Sequence, residues 1–80
     1  MDKSKTERAQ KLGRRDGYLW VATGACDGGW DLADWLGTSW EDYWLARDEG
    51  EDGGPLWDAY HAAGVATGRT ERERRELLRT

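Results

Sequence analysis

The side chains able to do chemistry in this chain are mostly carboxylates. Asp31/Asp34 and Glu41/Asp42 form close pairs, and Asp48, Glu49, Glu51 and Asp52 follow in a denser run. Paired acids are what glycoside hydrolysis uses, but 80 residues leave little room for a substrate cleft. The dense run invites a calcium loop. Asp48, Asp52 and Gly53 take positions 1, 5 and 6 of an EF-hand register, yet position 3 is Gly50 and position 12 is Ala59. A ligand and the closing bidentate Glu are missing, so the register fails. His61 and Cys26 are the only residues of their types, which rules out a zinc constellation built on several of them. A Ser-His-Asp triad would have to join Ser4 or Ser39 to His61, and a local backbone bond at a helix cap explains Ser39 equally well. The Gly24 to Gly29 stretch lacks the Gly-Lys-Ser/Thr ending of a phosphate loop, and Asp27 would repel phosphate. The expectation is a non-enzymatic protein with no metal and no cofactor.

The carboxylates are concentrated. Residues 26–60 hold ten of the sixteen acids and one base, Arg47, which leaves this segment at −9 while the whole chain stands at −4. The same segment holds five of the six tryptophans, Trp30, Trp35, Trp40, Trp44 and Trp57. Phe and Ile are absent, so Trp and Tyr must do the packing, each removing roughly 150–250 Å² from water when buried. Most of the tryptophans are expected in a core around Trp20, Trp30, Trp35, Trp44 and Trp57, and an exposed one would be a natural binding anchor.

Elements that would position these groups follow from local pattern. Residues 1–16 carry six bases and read as a basic N-terminal arm or marginal helix, with helix over 5–13; residues 17–80 read as a single small domain. Tyr18 to Thr23 is aromatic and β-branched between Gly17 and Gly24, which predicts a strand. Cys26-Asp27-Gly28-Gly29 predicts a turn, and Trp30-Asp31-Leu32 a returning strand. Leu32, Trp35 and Leu36 are also spaced for a helix, so the hairpin is expected to pass into a helical turn that Gly37 ends. Thr38-x-x-Glu41 matches a capping box and predicts a helix over 39–47, with Trp40, Tyr43 and Trp44 on one face, Glu41, Asp42 and Asp48 on others, and Gly50 as its cap. Pro55 opens a helix to about Ala66 that Gly68 stops, and Thr70-x-x-Glu73 caps a last charged helix over 71–79. The fold class expected is α+β: a short β-hairpin with three small helices around a Trp-rich core.

A lone cysteine excludes an intramolecular disulfide and favours a reducing compartment. No apolar run approaches the roughly 20 residues of a membrane span, and the basic start lacks a signal-peptide core. The expectation is a soluble protein of the host-cell cytoplasm, of open oligomeric state.

The stretch Tyr18 to Gly29, the following Trp30-Asp31-Leu32, and Trp44 to Gly50 (WLARDEG) resemble antirestriction proteins of the ArdA type over about a third of the chain. The chain has Cys26-Asp27-Gly28-Gly29 where that family has a Tyr-Asn-Asn-Gly-like turn, and is about half the length expected of it. In size and acidity it is also similar to phage-encoded anti-CRISPR proteins, a likeness of type without a shared motif. Either resemblance implies a counter-defence protein of a mobile element that occupies a nucleic-acid site on a host complex.

The charge pattern leads the same way. Carboxylates over an aromatic core can imitate a phosphate backbone and be steered to the basic groove of a nucleic-acid-binding protein, although acidic surfaces also serve solubility alone. The function expected is a DNA-mimic inhibitor of a restriction enzyme or CRISPR surveillance complex, contacting its partner through Asp31, Asp34, Glu41, Asp42, Asp48, Glu49, Glu51 and Asp52, with no direct nucleic-acid or membrane binding. The alternatives are a small DNA/RNA-binding regulator using the basic termini (Arg14/Arg15 and Arg72/Arg74/Arg75) and a phage structural or assembly protein.

Overall fold

The structure, a computed structural model, describes residues 3–43 and 54–79. Among them the chain forms three helices and no strand: α1 (Lys3–Ala22), α2 (Leu32–Glu41) and α3 (Pro55–Arg79). The expected α+β class with a β-hairpin is therefore corrected to an all-helical architecture. Tyr18 to Ala22, read as strand, completes α1, and Leu32 opens α2. The turn expected over residues 26–29 is present, within a longer turn over 23–29 that joins two helices. Gly24 and Gly29 carry positive φ there (82° and 94°), which glycine adopts without a Cβ clash.

Glycines set the architecture. Gly13 of α1 lies so close to α3 that a Cβ on it would stand 2.2 Å from the Tyr60 carbonyl oxygen; a Cβ on Gly17 would stand 2.3 Å from that of Gly64. The contacts advance together along both helices, Gly13 to Tyr60 and Gly64, then Gly17 to Gly64 and Gly68, so α1 and α3 run parallel. Small residues every fourth position, Ala9-Gly13-Gly17 on α1 and Gly64-Gly68 on α3, let the two backbones meet directly. An interior glycine costs a helix about 1 kcal/mol relative to alanine; the close approach is what the four glycines provide in return. It also explains why Gly64, Gly68 and the Thr70 box do not interrupt α3, which runs unbroken through all of them.

The returning helix α2 lies antiparallel to α3. Leu32 packs on Gly68, Leu36 on Gly64, and the Trp40 ring lies 4.8 Å from that of Tyr60. Gly37, expected to end this element, is inside it, as are Thr38 and Ser39; the beginning of the helix expected over 39–47 is the end of α2, and its remainder from residue 44 lies outside the described residues. The main core gathers Ala9, Leu36, Trp40, Leu56 and Tyr60, with Trp35, Tyr43 and Trp57 packed against it; Trp20, Val21 and Ala25 form a second cluster at the end of α1. The expected core list needs correction at Trp30, which is 45% exposed, and by the addition of Trp40, at 2%. Trp44 lies outside the described residues.

Candidate functional site

Two sets of carboxylates occupy opposite environments. The first is the single group at Asp16, 4% exposed in the middle of the bundle. Its Oδ2 accepts hydrogen bonds from the Tyr43 hydroxyl and, at 2.8 Å, from the Tyr60 hydroxyl, while Arg15 Nε donates to Oδ1 at 3.3 Å. The Asp16 backbone carbonyl also accepts from Trp35 Nε1 at 2.9 Å. One residue of α1 is thereby bonded to α2, to Tyr43 beyond it, and to α3. Burial, and then the Asp16 carboxylate, push the Tyr43 hydroxyl up from 10.0 to about 12 against the opposing charge of Arg15, and the same two causes push Tyr60 higher still. Both tyrosines therefore stay protonated as donors. No buried side-chain polar atom of the network lacks a partner, so it reads as a tie between helices.

The second set lies on the outside of α2. Asp31 stands at the N-cap position, Asp34 in the first turn, Glu41 at the last residue and Asp42 at the C-cap; all four are exposed. At about 100° per residue they fall within roughly a 100° arc, centred opposite Leu36 and Trp40. Among the described residues, no ion pair reaches any of them. They form two pairs, one at each end, spread over roughly 16 Å of helix axis. The four charges stand on average about 5.5 Å apart along the axis, with about 10 Å between the two pairs, against about 3.4 Å per phosphate along one DNA strand. The other half of the expected contact set, Asp48, Glu49, Glu51 and Asp52, lies outside the described residues.

Local helix physics explains only part of this face. Asp34 suits the positive N-terminal end of the helix dipole, and Asp31 occupies the N-cap position without making a side-chain cap bond. Glu41 and Asp42 stand at the negative end, where acids are disfavoured, and the last turn of α2 has no base.

Two features escaped the sequence reading. The Asp16 network needed the helical phase of α1, which the expected boundary at residues 16–17 interrupts. The other is a groove between the α1–α2 turn and α3, where Trp30 lies open beside Arg69 and Arg72. The four-residue glycine spacing, present on both helices, was the signal that could have revealed the first.

No protein family matches the chain, and neither curated proteins nor solved structures show similarity to it. The segment from Tyr18 to Gly29, which carried part of the ArdA likeness as a strand and turn, is helix and turn. Among the described residues no group of three or more His, Cys, Asp or Glu is arranged to hold a metal ion, and no helix is long and apolar enough to cross a membrane.

Proposed function

We propose that this chain is a non-enzymatic inhibitor that presents the acidic face of α2 to the basic groove of a nucleic-acid-processing defence complex, such as a restriction enzyme or CRISPR surveillance complex. The observation that carries this reading is the outward alignment of Asp31, Asp34, Glu41 and Asp42 without an ion pair among the described residues. Two of these acids oppose the helix dipole, a local cost without a folding return, which is where a functional demand is expected. A surface of this kind is steered to a basic partner and weakened by salt.

The competing regulator, acting through basic termini, has less support. Arg74 is bonded to Glu71 at 2.6 Å, and Arg15 is turned to Asp16 and Tyr43. Part of that positive charge is engaged within the bundle. The test is inhibition of DNA cleavage across a panel of purified restriction enzymes and CRISPR effector complexes, run beside a gel shift on DNA alone. Inhibition that fades as salt rises, with no shifted DNA, supports the mimic. A shifted band with the isolated protein overturns it in favour of the regulator.

A further inference from the structure

We propose that the groove between the α1–α2 turn and α3 binds a small nucleoside phosphate. It encloses about 670 Å³, within the range of small-molecule sites, and Trp20, Trp30, Leu32 and Val65 give it apolar walls while Arg69 and Arg72 supply the charge. The inference goes beyond the acidic face of α2.

The arginines stand three residues apart on α3, so their side chains leave the same face of the helix. Among the described residues Arg69 takes part in no ion pair; Arg72 has one long, exposed contact, 3.8 Å to Glu76, and its guanidinium lies 6.0 Å from the Trp20 ring centre. Two guanidinium groups match the charge of about −1.5 to −2 on a phosphate monoester, and bind its oxygens through charge-assisted bonds. Trp30 offers the stacking surface. Its ring is 45% exposed and meets Trp35 edge-on at 5.9 Å, and its backbone carbonyl is fixed by Trp20 Nε1 at 2.9 Å. An aromatic platform held beside a cationic pair is the combination that binds one base and its phosphate. A polynucleotide is a poor fit. Asp31 lines the same groove and the chain is at −4 overall, so a long polyanion meets repulsion that a single nucleotide largely escapes.

The test is calorimetric titration of the full chain with AMP, inorganic phosphate and a short oligothymidylate. AMP is expected to bind saturably. Arg69→Gln with Arg72→Gln should weaken it about tenfold or more, and Trp30→Ala by about five- to a hundredfold, the range supplied by stacking one base. All three residues are exposed or at the rim, and circular dichroism checks that each variant is folded. The proposal is overturned by any of four results with folded protein: no saturable AMP binding at millimolar concentration, binding unchanged in both variants, inorganic phosphate binding as tightly as AMP, or the oligonucleotide binding more tightly than AMP. Asp31 borders both the groove and the acidic face of α2, but none of the substituted residues belongs to that face and no readout is inhibition of cleavage, so either proposal can fail without the other.

Discussion

The seam between α1 and α3 and the outer face of α2 follow opposite rules. At the seam, glycines expose backbone to backbone, Asp16 is enclosed by two tyrosines, and the buried side-chain polar atoms among the described residues all have partners. On the outer face, four carboxylates point to solvent with no ion pair among the described residues, two of them against the helix dipole. The difference teaches where each carboxylate's role lies. Asp16 is tied into the fold from three sides, and the α2 acids contribute almost nothing to holding the helices together. Substitutions should therefore separate stability from binding along this line.

The largest effect is expected at the seam. Gly13→Ala or Gly17→Ala puts a methyl group 2.2 or 2.3 Å from a carbonyl oxygen of α3, which no rotamer change relieves. The helices must part, at a cost of about 3 kcal/mol or more, beyond the about 1 kcal/mol that alanine would otherwise gain in a helix. Urea titration should show a collapse in midpoint or no folded baseline. Gly64→Ala is the internal comparison, because its nearest obstacles are the Leu36 methyl groups at 2.7 and 2.9 Å, the movable end of a side chain. It should cost visibly less than either α1 substitution; equal losses would mean the backbone contact is not what makes the seam.

Next comes Asp16→Ala. It leaves the buried Tyr60 hydroxyl with the Leu36 carbonyl, at 3.3 Å, as its acceptor among the described residues and removes the acceptor of Tyr43. Loss of a charged acceptor from buried donors costs about 2–3 kcal/mol, measurable by the same titration. The network also gives the fold an alkaline limit. The Tyr43 hydroxyl rises from 10.0 to about 12 in the folded chain, so the protonated form is the one folding favours. Its contribution is complete below pH 10 and is lost as pH climbs through 12. Thermal midpoints taken at steps across that window should fall, and a flat profile would show that the Tyr43 hydroxyl is neither buried nor held by Asp16 in this way.

The smallest effect is expected on the outer face, with the opposite sign. Glu41→Gln with Asp42→Asn removes two acids from the negative end of the α2 dipole. The gain should be a few tenths to about 1 kcal/mol, screened by salt. Destabilisation instead would place these residues in the fold after all.

How much of this was legible in the sequence depends on what each residue was read for. The division of Trp40 from Glu41 and Asp42 was legible, because helical spacing alone puts them on different faces. The start of α3 at Pro55 was legible for the same kind of local reason. The hairpin was misread because Tyr18 to Thr23 carries strand propensity between glycines, and propensity yields to packing when a neighbouring helix supplies the partner. Gly37 and Gly68 were read as helix ends and Gly17 as the edge of a strand. Gly13, Gly17, Gly64 and Gly68 are the contact surface, visible only when the four-residue spacings of two distant segments are compared. The exposed acids at Asp31, Asp34, Glu41 and Asp42 were named from charge alone. Their alignment on one face needed the continuous helix through Gly37. Asp16 was hidden because its partners, Tyr43 and Tyr60, are brought to it by tertiary packing.

The most direct measurement is inhibition of DNA cleavage by the variant Asp31→Asn, Asp34→Asn, Glu41→Gln, Asp42→Asn, beside its thermal midpoint. The prediction is a midpoint at or slightly above that of the parent chain and a loss of inhibition of about tenfold or more, as expected when charges that match a basic groove are removed. A variant that folds as well and inhibits as strongly as the parent would contradict the assignment of function to the outer face of α2.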